Sequence, residues 1–291
     1  MDYPNTKIYF DGSHYIGIPK VVQPWKRRKQ DKSKLKNETE EKVKEILKTS
    51  QAETKEKKVE EATQSINKSI KNLEKSKEIV NRVLEKNERN RIVRLTRLYR
   101  KAYLQQWDYF CTFTYDSKKL SEEDFKVKFL NCIRHLSSRK GWKYIGVFER
   151  SPELNRLHFH GIFVIPEMVG ELIETKDYST KNNRMQVAQQ NTYFLEKFGR
   201  NDFSKIENNE VKSTIRYMLK YIRKTGDKII YSKHLQTFFV TDVLEDDVVC
   251  KTGNEDRKIL LFDNFKCMNF ETGECLGEVT KELIDKLPKA Y

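Results

Sequence analysis

The chain has 291 residues, of which 37% are hydrophobic and 34% charged, and its formal net charge is +14. That apolar fraction supplies one sizeable core and argues against two independent large ones, while the excess of Lys and Arg favours a polyanionic partner, either nucleic acid or an anionic membrane surface. No apolar run approaches the roughly 20 residues of a spanning helix, so the expected partners include no membrane.

Residues 1–25 read as an N-terminal arm. Its start, Met1-Asp2-Tyr3-Pro4, has neither the basic nor the apolar part of a signal peptide, so the chain is expected in the cytoplasm. The five cysteines, Cys111, Cys132, Cys250, Cys267 and Cys275, are odd in number with no close zinc-finger pair, and read as reduced thiols serving as small buried apolar side chains.

Residues 26–104 read as a basic helical accessory region. Between Pro24 and Gly141 there is no Gly or Pro to force a helix to stop. Val59, Ile66, Leu73 and Val80 recur at intervals of seven, with Ala62 and Val83 between them, but Ser69 and Ser76 thin the stripe. A coiled coil and a partly solvated single helix both fit, and the coiled coil would allow self-association. Residues 26–101 carry +12 of the net charge. It concentrates at Lys26-Arg27-Arg28-Lys29 and at Arg91, Arg94, Arg97, Arg100 and Lys101, a row suited to DNA phosphates or simply to a solvated face.

From residue 105 to 265 short apolar segments alternate with turns. Strands are expected at Trp107–Tyr115, Trp142–Arg150, Leu157–Ile165 and Thr192–Phe198, with a helix from Ser121 to Ser138 capped by Ser121. A helix and polar loop are expected over 167–190, another helix from Glu210 to Lys224, and a further segment including Lys258–Phe262, leaving 266–291 as a C-terminal tail. The fold class is α+β, an antiparallel sheet with packed helices, preceded by the long helical region.

The chemistry concentrates in Leu157-His158-Phe159-His160-Gly161. Alternation in a strand puts His158 and His160 on one face and Leu157 and Phe159 on the other. If the two strands fold back about Pro152-Glu153-Leu154-Asn155, a symmetric register sets Glu149 opposite His158, and opposed residues share a face. Two imidazoles and a carboxylate then suit one divalent ion, although non-haem iron oxygenases use a similar set. The nucleophile decides between them. On a helix, Ile215, Met218, Leu219 and Ile222 form an apolar stripe, while Tyr217, Lys220, Tyr221 and Lys224 fall opposite, two phenols beside two ammonium groups.

Together these segments resemble the HUH endonuclease superfamily, specifically the rolling-circle replication initiators of small single-stranded DNA phages and related plasmids. Phe110-Cys111-Thr112-Phe113-Thr114-Tyr115 is similar to the first family motif, Leu157 to Gly161 to the histidine-hydrophobic-histidine motif, and Tyr217 to Lys224 to the tyrosine-lysine motif, in the family's order and within roughly residues 106–230. The resemblance implies that 105–265 is a nicking and joining domain, that His158, His160 and Glu149 hold Mg2+ or Mn2+, and that Tyr217 or Tyr221 attacks single-stranded origin DNA. It also implies a 5′-phosphotyrosine, a free 3′-OH primer, and host helicase and polymerase as partners. Alternatives are a relaxase or transposase of the same superfamily, or a non-enzymatic DNA-binding regulator.

Overall fold

Two short strands open the chain, β1 (Tyr3–Phe10) and β2 (Tyr15–Ile18), followed by helices α1 (Lys34–Thr49), α2 (Lys55–Ile70) and α3 (Leu73–Ala102). Next come β3 (Tyr109–Thr114), α4 (Glu122–Lys140), β4 (Lys143–Arg150), β5 (Leu157–Val164), β6 (Leu172–Ser179), β7 (Arg184–Asn191), α5 (Thr192–Lys197), β8 (Asn201–Lys205) and α6 (Val211–Thr225). The last stretch holds β9 (Ile230–Tyr231), β10 (Phe238–Val243), β11 (Val248–Thr252), β12 (Lys258–Leu261), β13 (Lys266–Met268), β14 (Cys275–Glu278), α7 (Lys281–Lys286) and β15 (Lys289–Ala290). This computed structural model describes residues 3–20, 34–151, 155–179, 184–207, 210–225, 228–252, 258–269 and 272–290; the side chains of 34–37, 177, 179, 220–225, 289 and 290 lie outside the described set, as does the Lys26–Lys29 run. The fold is α+β with antiparallel sheets, and among the described residues no helix is long and apolar enough to cross a membrane.

The chain divides into two compact units, one of residues 1–20 with 99–291 and the other of residues 21–98. In the second unit the helical region turns back on itself instead of running as one helix. Polar caps do what Gly and Pro would have done: Thr54 accepts from Lys57 N, Lys71 ends α2 in the left-handed region at φ 54°, and Asn72 Oδ1 accepts from Lys75 N at 3.0 Å. Val43 of α1, Ala62 and Ile66 of α2, and Val80 and Val83 of α3 form one buried cluster. The seven-residue stripe is therefore covered largely from within the chain, although Leu73 remains 48% exposed. Ser76 is tolerated in the buried seam because its hydroxyl donates to Asn72 O at 2.8 Å.

The first unit contains a five-stranded sheet ordered β8-β3-β5-β4-β9, an eight-stranded sheet built around β1 and β10, and the two-stranded β6–β7 hairpin. Its apolar residues do not pool into one core as composition suggested. One cluster joins α4 (Phe125, Phe129, Ile133) to Phe113, Phe159 and Phe163 of the five-stranded sheet; another joins Ile8 to Phe239, Phe265 and Ile284 on the larger sheet. The segments read as an arm and a tail supply strands of that larger sheet, with Thr6 opposite Thr241, and β13, β14 and β15 completing it.

Ser121 caps α4 as expected, its hydroxyl accepting from Asp124 N at 3.1 Å. Two expectations fail. Residues 172–191 form the β6–β7 hairpin, not a helix and loop, since cross-strand pairing from Leu172↔Asn191 to Ser179↔Arg184 satisfies the backbone. Thr192–Lys197 is a helix, not a strand, because Asn191 accepts from Phe194 N at 3.3 Å and caps it. The cysteines are mixed too: Cys111 and Cys267 are buried, Cys132 half-buried, and Cys250 and Cys275 exposed.

Gly146 and Gly161 lie directly opposite each other on β4 and β5, and the Phe159 ring fills the space where their side chains would stand. Gly146→Ala is expected to lower stability by about 1–3 kcal/mol through overpacking, read from thermal unfolding. An unchanged melting temperature would mean the ring is free to move aside.

Candidate active site

The pairing of β4 with β5 sets Glu149 opposite His158 and Val147 opposite His160, the register expected from the symmetric hairpin, although Pro152, Glu153 and Leu154 at its tip lie outside the described residues. Glu149, His158 and His160 therefore share one face of the sheet. The other face carries Phe113, Phe159 and Phe163 against α4. The division is a direct result of alternation: each apolar residue of the histidine segment points into the core and each imidazole points away.

Strand β3 lies on the other side of β5 and brings two residues that the sequence reading left without a role. Thr112 is opposite His160 and Thr114 opposite His158. Thr112 Oγ1 lies 3.1 Å from Nδ1 of His160, and Thr114 Oγ1 lies 2.7 Å from Nδ1 of His158. Each imidazole is thus held at Nδ1 by a hydroxyl, and Nε2 is the nitrogen left to face the site. The same alternation that identified the histidines could have identified the threonines, since Phe-Cys-Thr-Phe-Thr-Tyr has period two. Asp202 of β8, opposite Thr112, adds a second carboxylate to this face.

Glu149 is 6% and His160 8% exposed, deep enough that each needs a polar partner. They supply one another, Glu149 Oε2 standing 3.2 Å from His160 Nε2. The His158 and His160 ring centroids are 5.9 Å apart. Burial, then the adjacent His160, pull the His158 imidazole down to about 4; the Glu149 carboxylate opposes this, and Arg156 and Arg200 reinforce it. His158 is therefore neutral at physiological pH, the state in which an imidazole donates a lone pair.

These donors match a divalent ion in kind, two imidazole nitrogens and a carboxylate. The 3.2 Å separation of Glu149 and His160 is also close to that of neighbouring ligands on one ion with bonds of about 2.1 Å. Among the described residues no three His, Cys, Asp or Glu side chains already converge into a metal-holding group.

Helix α6 packs on β4 through a buried stripe that includes Ile215, Met218 and Leu219. Tyr217 is 41% exposed and meets the Phe110 ring edge-on, centroids 5.4 Å apart, and Phe110 in turn stacks at 6.3 Å on His160. One aromatic side chain thus links the tyrosine helix to the histidine face, and Phe110 is a contact the sequence reading did not assign. The backbone of Lys220, Tyr221 and Lys224 continues α6, but their side chains lie outside the described residues. A shallow hollow of about 450 Å³ opens beside Tyr217, lined by Phe110, Thr214 and Arg216 among others.

The basic row on α3 is partly committed to other contacts. Arg91 pairs with Glu88 at 2.6 Å, the Arg100 guanidinium lies 4.0 Å from the Tyr9 ring centroid, and Lys101 lies 5.0 Å from that of Tyr231. Arg97 is exposed and Arg94 half-buried.

No curated protein and no solved structure matches the chain. The segment running from the residue before β3 to the residue after α6 holds the histidine face, its threonines and the tyrosine helix, and it is this segment, residues 108–226, that matches the family model described as Replication-associated protein ORF2, which supports a replication-associated protein.

Proposed function

We propose that the chain is a nicking and joining enzyme of the HUH endonuclease type that initiates rolling-circle replication of a phage, plasmid or similar mobile element. The observation that carries this reading is the strand register: Glu149, His158 and His160 share a sheet face with Phe110, whose ring touches Tyr217. In the proposed reaction the phenol oxygen of Tyr217 or Tyr221 attacks phosphorus in single-stranded origin DNA. The bond to the 3′ oxygen breaks, that oxygen leaves as a 3′-OH after taking a proton, and the 5′ phosphate stays on the tyrosine. Attack by a 3′-OH reverses the exchange, so joining needs no ATP.

A bound Mg2+ or Mn2+ would supply Lewis-acid polarisation of the scissile phosphate. Glu149, His158 and His160 would hold it, with Mn2+ the better match to two imidazoles. Thr112 and Thr114 fix the ring orientations, as partners of metal-binding histidines commonly do. Lys220 and Lys224 would offset negative charge at the phenolate and phosphate. Arg91, Arg94, Arg97, Arg100 and Lys101 are proposed DNA contacts, with host helicase and polymerase as partners in the cytoplasm and self-association through the helical region.

Incubation with labelled single-stranded origin DNA and Mn2+ tests the reading. A denaturant-resistant protein–DNA adduct is expected, whereas binding that denaturant fully reverses would make the chain a regulator. The combined change Thr112→Val and Thr114→Val is expected to weaken Mn2+ affinity by about 10–100-fold. Calorimetric titration with Mn2+ checks this, and unaltered affinity would leave the threonines a purely structural role.

A further inference from the structure

On the opposite face of the five-stranded sheet from the histidines, a hollow of about 900 Å³ lies between α4 and the β4–β9 edge. Its walls include Lys126 and Arg134 of α4, Arg150 of β4, Lys228, and the rings of Phe148 and Tyr231. The residues lining it include no Asp or Glu. Glu122 pairs with both Lys126 and Arg150, so one carboxylate offsets two of the four cations. A fifth cation, Lys101, lies 5.0 Å from the Tyr231 ring centroid. Phe148 is fixed by edge contacts with Phe125 and Phe159, at centroid separations of 6.1 and 5.0 Å. Its position is therefore set before any ligand arrives.

We propose that this hollow binds unpaired nucleotides of single-stranded DNA, as a second contact on the face away from Glu149, His158 and His160. Excess positive charge suits phosphates. Aromatic rings in a concave wall suit exposed base faces, which a duplex hides in its stack. Its volume is in the range of small-ligand pockets and admits a short unpaired stretch, not a double helix. The assignment rests on DNA being the partner, but not on the nicking chemistry.

The test is binding of the full chain to a 30-nucleotide oligo(dT) without divalent metal, measured by fluorescence anisotropy across a salt series. Charge reversal by Arg134→Glu with Lys228→Glu is expected to weaken binding and reduce the log–log salt slope by about 1.4, two contacts at about 0.7 each for a single strand. Reversing Lys118 and Lys128, which do not line the hollow, gives the same change in net charge and is expected to leave most of that slope intact. Tyr231→Leu is expected to weaken oligo(dT) binding by roughly tenfold while sparing an abasic chain of the same length, with Tyr231→Phe binding normally. Equal losses for the hollow and control pairs, or equal losses on the oligo(dT) and abasic chains, would overturn the proposal. Because adduct formation is measured separately, absence of an adduct with this pattern intact would remove the nicking reading alone.

Discussion

Tyr217→Phe combined with Tyr221→Phe is expected to eliminate the covalent protein–DNA adduct entirely, with reversible binding of the oligonucleotide retained. The change removes two hydroxyls and leaves both rings, so the Tyr217 contact with Phe110 at 5.4 Å is preserved and loss of adduct reports the nucleophile, not the fold. Residues four apart on a helix project from the same side. One phenol could then hold the 5′ end while the other attacks at the regenerated origin, an arrangement whose benefit is orientation. Each single variant is expected to retain some first cleavage while joining after a full round falls much further. If Tyr217→Phe alone abolishes every adduct and Tyr221→Phe joins normally, only Tyr217 is catalytic, and the reverse pattern assigns the work to Tyr221. Peptide mapping of the trapped phosphotyrosine identifies the attacking side chain, and finding it on neither would refute the role of α6.

His158→Ala or His160→Ala is expected to reduce metal-dependent nicking by at least about 100-fold, since loss of a ligand exceeds loss of the groups that merely orient one. The accompanying stability loss should be limited to about 1–3 kcal/mol. Both imidazoles lie on the face away from the aromatic cluster, so no core contact of the Phe159 type is removed. His160→Ala has a second consequence, because it leaves the buried Glu149 carboxylate without the nitrogen 3.2 Å away. Glu149→Gln is expected to weaken Mn2+ binding in the same direction. Full nicking by the double histidine variant would sink the metal assignment, whereas unchanged metal dependence in Glu149→Gln would point to another oxygen, with Asp202 on the same face the nearest alternative to test.

Much of the geometry of the site could be read without coordinates, and the reason is that it depends on short-range periodicity. Alternation in a strand fixed the faces of His158 and His160, and a symmetric turn was enough to bring Glu149 opposite His158. The helix carrying Tyr217 followed from a stripe spaced for one turn, which the buried Ile215, Met218 and Leu219 bear out. Thr112 and Thr114 were within reach of the same argument, but assigning them needed the knowledge that β3 pairs with β5. Phe110 and Asp202 needed it too.

Local patterns were enough for the α+β class, the capped α4 helix and the alternating histidine strand, because each arises from residues within a turn or two of one another. Long-range packing settled the rest. The pairing of Thr6 with Thr241 joins the two ends of the chain, and no local pattern announces a contact across such a separation. Thr192–Lys197 became a helix because Asn191 caps it and Phe194 finds a place in the aromatic cluster, which overrides the strand preference of Tyr193 and Phe194. The seven-residue stripe of the helical region was legible as apolar, but whether it would meet another chain or its own was settled by caps at Thr54 and Asn72 that let α1, α2 and α3 bury it together. Periodicity specifies which side of an element is apolar; the partner that covers that side is chosen by chain reversal and long-range packing, where free energy depends on all the elements at once.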